Sequence, residues 1–257
     1  MSSAPTTHVE VRLYGDLGWF VDAADRDGTA DLPIGERRSI KDLLESNGLP
    51  HVEVGGVLVD GQPATLSDIV APGSRLSVYP AGHDLAPAGN DASPSPEPRR
   101  FVADVHLGTL ARRLRILGFD TWYEVAADDA ELARRSVTED RIVLTRDRQL
   151  LMRREILHGY CPRAPDPDEQ LEEVVARWGL ASRAHPATRC PACNGLLVVA
   201  GLDEVREQIP ARTAREHDRF SRCPGCGQVY WPGSHLDALE ERHPDLFGAV
   251  RRGQQLT

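Results

Sequence analysis

Lysine is nearly missing from this 257-residue chain: Lys41 stands alone, and the other 29 of its 30 basic residues are arginines. A P-loop is thereby excluded, because its lysine must reach nucleotide phosphates and no GxxxxGK occurs. Long apolar runs are missing too. None approaches the roughly 18 residues that cross a bilayer, so no membrane association is expected. The opening MSSAPTTHVE lacks the basic and apolar regions of a signal peptide, which makes the cytoplasm the expected location. Cysteine is scarce but not scattered: four of the five form two CPxC pairs, Cys190/Cys193 and Cys223/Cys226.

With 40% apolar and 27% charged residues, the composition is that of a soluble globular protein. Its charge is uneven. Residues 1–98 hold six basic and fifteen acidic residues, a balance of −9, whereas the remainder holds 24 of each. The acidic excess therefore lies entirely in the first segment.

Hydrophobic periodicity divides the chain. Residues 8–80 read as a small mixed α/β unit, with HVEVRLYG and SRLSVYP as strands. SIKDLLESNGL reads as a helix capped by Ser39 and closed by Gly48, and Asp60-Gly61 marks a hairpin turn. Gly55-Gly56 reads as a further turn. The pattern resembles the ubiquitin-like β-grasp fold of small sulfur carriers. Their free C-terminal Gly-Gly is absent here, which leaves docking to a protein partner as the expected role. Residues 81–98, rich in Pro, Ala, Ser and Gly, read as a linker.

Residues 99–180 alternate strand and helix: FVADV, LGTLARRLRILG, FDTWYEV, DDAELARRSV, RIVLT, RQLLMRRE, ILHGYC, then DPDEQLEEVVARWGL capped by Asp166. Alternation of this kind predicts a mainly parallel sheet covered by helices. Residues 186–243 hold both cysteine pairs and a terminal helix.

In an open parallel sheet, sites form outside the carboxyl ends of the strands. Asp104 interrupts the first apolar strand, Asp147 lies just past IVLT, Asp129 opens a helix beside Asp128, and Asp166 opens the last helix. Such carboxylates repel one another without a cation, and hard oxygen ligands suit Mg²⁺ or Mn²⁺. Arg112, Arg113, Arg115, Arg146 and Arg148 lie near these positions and can hold a nucleic-acid backbone. The bland alternatives are helix caps for Asp128 and Asp166 and a solvated face for the arginines of the first helix.

Two CPxC knuckles separated by 29 residues supply four thiolates, the donor set of a closed structural Zn²⁺ site at Cys190, Cys193, Cys223 and Cys226. A disulfide or redox CxxC is the alternative. Tyr230 and Trp231 can stack on bases or pack against the module, and His235 can contact RNA or cap a helix. Cys161 reads as a small apolar filler.

DVHLGTLARRLRILGFDT, DDAELARRSVTEDRIVLTRDRQL, CPAC and CPGCGQVYWPGSH together resemble the Mut-7-type C-terminal RNase family. That family joins a PIN-like nuclease domain to a zinc ribbon, and some members carry a ubiquitin-like domain in front. The resemblance implies Asp104, Asp129 and Asp147 as metal ligands, with Asp166 as a candidate fourth. Where the family usually shows Ser-Asp-Asp-Pro, this chain reads Ala164-Pro165-Asp166-Pro167, one carboxylate fewer. The expected protein is a PIN-like, divalent-metal-dependent ribonuclease acting on RNA with water as the nucleophile. A non-catalytic RNA-binding or ribosome-associated adaptor and a small-molecule phosphatase are the rivals.

Overall fold

The computed structural model describes residues 7–25, 27–35, 37–81, 100–232 and 236–254. Most of the expected linker, residues 82–98, and His235 lie outside the described residues. The N-terminal region runs β1 (His8–Leu13), β2 (Thr29–Pro33), β3 (Arg38–Ser39), α1 (Ile40–Ser46), β4 (Val54–Val59), β5 (Gln62–Ala64), β6 (Ile69–Val70) and β7 (Arg75–Pro80). Its main sheet has the order β2-β1-β7-β4-β5, with β1 and β7 parallel and the other pairs antiparallel. In β1 every second residue is buried, as an alternating strand with one covered face requires. Ser39 caps α1 by accepting from the Asp42 amide at 3.0 Å. Asp60 and Gly61 both have positive φ, the backbone of a tight two-residue hairpin turn. The expected turn at Gly55-Gly56 is not one: both residues lie inside β4, where the register shifts between Val54 and Gly56. Glycine is needed there because a Cβ on Gly55 would lie 2.5 Å from the Pro80 carbonyl oxygen.

The following region runs β8 (Arg100–Ala103), α2 (Gly108–Ile116), β9 (Asp120–Tyr123), α3 (Asp129–Glu139), β10 (Ile142–Leu144), α4 (Arg148–Leu151), β11 (Gly159–Tyr160) and α5 (Pro167–Trp178). β8 pairs parallel with β9, and β10 with β11, and helices flank these strands. This is the mixed α/β architecture expected from the alternation. RQLLMRRE forms only the four-residue α4. Leu150 and Leu151 are buried, but one turn later come Arg154 and Glu155, so the helix has no further apolar face to bury. The C-terminal region holds β12 (Val198–Ala200), α6 (Leu202–Val205), α7 (Thr213–Glu216), β13 (Phe220–Arg222), β14 (Val229–Tyr230), α8 (Leu236–Arg242) and α9 (Pro244–Gln254). No helix among the described residues is long and apolar enough to cross a membrane.

The chain forms two compact units. One comprises Met1–Pro98 with Asp129–Cys161; the other comprises Arg99–Asp128 with Pro162–Thr257. In the first unit, the N-terminal sheet region joins α3, β10, α4 and β11. A buried carboxylate, Glu53, accepts the Cys161 amide at 2.7 Å, and His51 Nε2 lies 3.0 Å from the Ile156 carbonyl oxygen. Cys161 itself is fully buried.

In the second unit, α2 packs on α5 and on β9. Phe101 is fully buried, edge-on to Phe119 at 6.3 Å and tilted against Trp178 at 5.7 Å. His243, 3% exposed, sits between Asp168 at 2.8 Å and Glu172 at 3.0 Å, which pins the α8–α9 junction to α5. The ribbon has its own small core of Val205, Ile209, Phe220 and Val229, with Trp231 packed against it. Phe101→Ala should cost about 3–5 kcal/mol of stability through lost burial and the cavity left behind. Denaturant unfolding measures this, and a loss below about 1 kcal/mol would show that the aromatic cluster does not organise the unit.

Candidate functional site

Cys190, Cys193, Cys223 and Cys226 bring their four Sγ atoms within 4.8 Å of one another, the sole such group of potential metal ligands among the described residues. The Cys190–Cys226 and Cys193–Cys223 sulfurs are 3.6 and 3.3 Å apart. Disulfide bonding needs about 2.05 Å, so these are free thiols, and each of these two pairs joins one knuckle to the other. A tetrahedron with metal–sulfur bonds of about 2.3 Å has edges of about 3.8 Å, close to what is seen.

Both knuckles fold alike. The Cys190 amide donates to the Gly195 carbonyl and the Asn194 amide to the Cys190 carbonyl; the Cys223 amide donates to Gln228 and the Gly227 amide to Cys223. Asn194 and Gly227 occupy the same left-handed position in their respective loops. A Cβ on Gly195 would sit 3.0 Å from Cys223 Sγ, so the small residue lets the knuckles close.

The thiols do not share one environment. Burial raises the Cys190 pKa, but the Tyr230 hydroxyl, 3.1 Å from its sulfur, and the Cys193 and Ala192 amides outweigh that and bring it below the usual thiol value. Burial pushes the Cys193 thiol up, and hydrogen bonding with Cys223, Cys226 and Cys190 adds to the rise. Four neighbouring sulfurs cannot all ionise without a cation between them, and four thiolates are the soft donor set that a structural zinc takes. Tyr230 thus faces the cluster, and Trp231 faces the ribbon core.

Arg115 ties this module to α2 and β9. It is 4% exposed, and its guanidinium donates to the carbonyls of Thr121 at 2.8 Å, Pro191 at 3.2 Å and Ala192 at 2.9 Å. Asn194 adds a second tie: its side-chain oxygen accepts the Thr121 amide at 3.1 Å, and its amide nitrogen donates to Asp120 at 2.7 Å. Arg189 pairs with the other Asp120 oxygen at 3.3 Å.

The candidate acidic ligands occupy the ends of strands and helices. Asp104 follows β8, is buried, and accepts the Val105 amide on Oδ1. Asp166 caps α5, its Oδ1 accepting the Asp168 amide at 2.7 Å and the Glu169 amide at 3.4 Å. Both belong to the second unit. Asp129, the first residue of α3, and Asp147 are exposed members of the first unit. Asp147 follows β10 and caps α4, its Oδ1 accepting the Gln149 amide at 2.7 Å and the Leu150 amide at 3.3 Å; its own amide donates to Thr145 Oγ1 at 2.9 Å.

The arginines have diverged in role. Arg112 and Arg146 are exposed. Arg113 pairs with Asp168 at 2.9 Å on a largely covered side chain. Arg115 serves the knuckle as described, and Arg148 contacts Trp19 and Phe20. Periodicity could not separate these five, because nothing local in the sequence marks which guanidinium meets a distant carbonyl or ring.

The purified, reduced protein should carry about one zinc per chain, and Cys223→Ser should lose it. Elemental analysis decides this; zinc-free, folded wild type would contradict the assignment. Arg115→Ala leaves buried carbonyls without a donor and should lower stability by roughly 3 kcal/mol while speeding zinc loss to a chelator. Unchanged melting and metal retention would remove Arg115 from this role.

Residues 99–243 match the family described as Mut7-C RNAse domain, and residues 6–86 match the family described as Mut7-C ubiquitin. No curated protein and no solved structure matches the chain. Since the first match covers more than half of the residues and includes the four cysteines and all four candidate aspartates, the chain belongs to the Mut7-C RNAse domain family, with a Mut7-C ubiquitin domain ahead of it.

Proposed function

We propose that the protein is a divalent-metal-dependent ribonuclease that hydrolyses RNA phosphodiester bonds with water as the nucleophile. The observation that carries this reading is the Mut7-C RNAse match over 99–243, a segment in which Asp104 immediately follows β8 and Asp147 comes three residues after the end of β10. Asp104, Asp129 and Asp147 are the proposed ligands of Mg²⁺ or Mn²⁺, with Asp166 as the candidate fourth. Such an ion, when bound, lowers the pKa of water and neutralises phosphate charge.

The chain's own residues have separable tasks. Asp147 takes the α4 amides on Oδ1, and that bonding orients its carboxylate while leaving Oδ2 outside the cap. Asp104, buried at the end of β8, is oriented in the same way by the Val105 amide. Exposed Arg112 and Arg146 are the proposed grips on the RNA backbone. The zinc ribbon is structural and completes the second unit. Its reduced thiols suit a reducing compartment, in keeping with the cytoplasm.

Cleavage of end-labelled single-stranded RNA with Mg²⁺, Mn²⁺ or EDTA tests this directly. Asp104→Asn and Asp147→Asn should each lower the rate more than about 100-fold, since even groups behind metal ligands cost 10–100-fold. Folded, zinc-loaded wild type that binds RNA without cutting it would favour the RNA-binding adaptor instead.

A further inference from the structure

The ubiquitin-like region does more than precede the RNase region, because it grips the residue beside Asp147. The Arg148 guanidinium lies 4.6 Å from the Trp19 ring centroid and 5.3 Å from that of Phe20. Its Nη1 donates to the Phe20 carbonyl at 2.9 Å, and its Nη2 lies 3.5 Å from the Trp19 carbonyl oxygen. Trp19 and Phe20 stand edge to face at 5.1 Å in a 3-10 turn, Leu17–Phe20. Gly48 completes the socket: it has φ +93°, and a Cβ there would lie 2.7 Å from the Phe20 carbonyl oxygen and 3.3 Å from Arg148 Nη1.

Helix α4 needs such an anchor. Four residues make barely one turn, which cannot sustain itself against the cost of nucleation. What holds it is the Asp147 cap, the burial of Leu150 and Leu151, and the clasped Arg148. The dependence runs both ways. Asp147 caps the helix, and the helix amides of Gln149 and Leu150 fix where the Asp147 carboxylate stands. Beyond α4, the chain is secured again by His51 on the Ile156 carbonyl and Glu53 on the Cys161 amide.

We infer that the ubiquitin-like domain is a positioning element of the nuclease site, its Trp19–Phe20–Gly48 socket holding Arg148 and thereby the α4 amides that orient Asp147. This rests on the proposed role of Asp147 in RNA hydrolysis. It makes Arg148 a positioning residue, in contrast to the RNA contact that its place beside LTRD suggests. Cation–π stacking and paired bonds to carbonyls require the planar guanidinium, so lysine is not an equivalent.

The test uses the full chain with Trp19→Ala, Arg148→Ala, Arg148→Lys and the Trp19→Ala/Arg148→Ala double variant. Trp19 is 44% exposed, so its truncation spares the buried core. Hydrogen exchange at the Gln149 and Leu150 amides should quicken about tenfold in every variant. Cleavage at saturating RNA should fall by a similar factor, RNA affinity measured in EDTA should hold within about twofold, and the double variant should be no worse than either single one.

Unchanged exchange in Trp19→Ala would overturn the inference. So would an affinity loss confined to Arg148→Ala and rescued by Arg148→Lys, the signature of a phosphate contact. Faster cleavage in Trp19→Ala would also overturn it, since that marks a mask and not a support. If wild type cuts no RNA, the ribonuclease reading fails by itself, and the exchange rates alone then decide whether the socket holds α4.

Discussion

A buried guanidinium is the constraint on which the second unit depends. Arginine keeps its charge in any protein environment, and Arg115 is 4% exposed, so its buried donors need acceptors. Nε and Nη1 find three carbonyls, one within β9 and two in the first cysteine knuckle. Burial pulls the Arg115 pKa down, and the neighbouring Cys190 and Cys193 pull it back. Four thiolates around a divalent ion would leave net negative charge in the knuckles, and Arg115 lies where its cation would oppose that charge. Through Arg115, the first knuckle, β9 and α2 are joined in one hydrogen-bonded arrangement.

Capping and metal binding need not compete for the same aspartate. At Asp147 and Asp166 a single oxygen, Oδ1, accepts both amides of the helix start. A carboxylate held in this way has less rotational freedom to lose when a ligand arrives, which is how an ordered site lowers the entropic cost of binding. The cap orients the group through Oδ1 and does not engage Oδ2.

Local chemistry was legible in the sequence, and long-range partnership was not. The CPxC pairs pointed to a shared cluster because the knuckle is a short loop with its own hydrogen bonds. Ser39 and Asp166 were readable as caps because capping involves residues two or three positions away. The same holds for the Asp60-Gly61 turn. By contrast, Arg112 and Arg115 look alike in a helical pattern, yet one is exposed and the other reaches carbonyls 76 and 77 residues on. Arg148 finds its aromatic socket 128 and 129 residues back. Nothing local encodes either outcome. The shortness of α4 and the helix Pro244–Gln254 had weak signals that were there to be read: no apolar residue one turn beyond Leu150, and Pro244 opening a stripe that buries Phe247 and Val250.

The most direct measurement is RNA hydrolysis in ¹⁸O-enriched water, followed by mass spectrometry of the new ends. Attack by water places the label in a terminal phosphate, only when Mg²⁺ or Mn²⁺ is supplied, and Asp147→Asn abolishes it. Unlabelled cyclic phosphate ends, or cleavage that persists in EDTA and in Asp147→Asn, would contradict a metal-dependent aspartate nuclease.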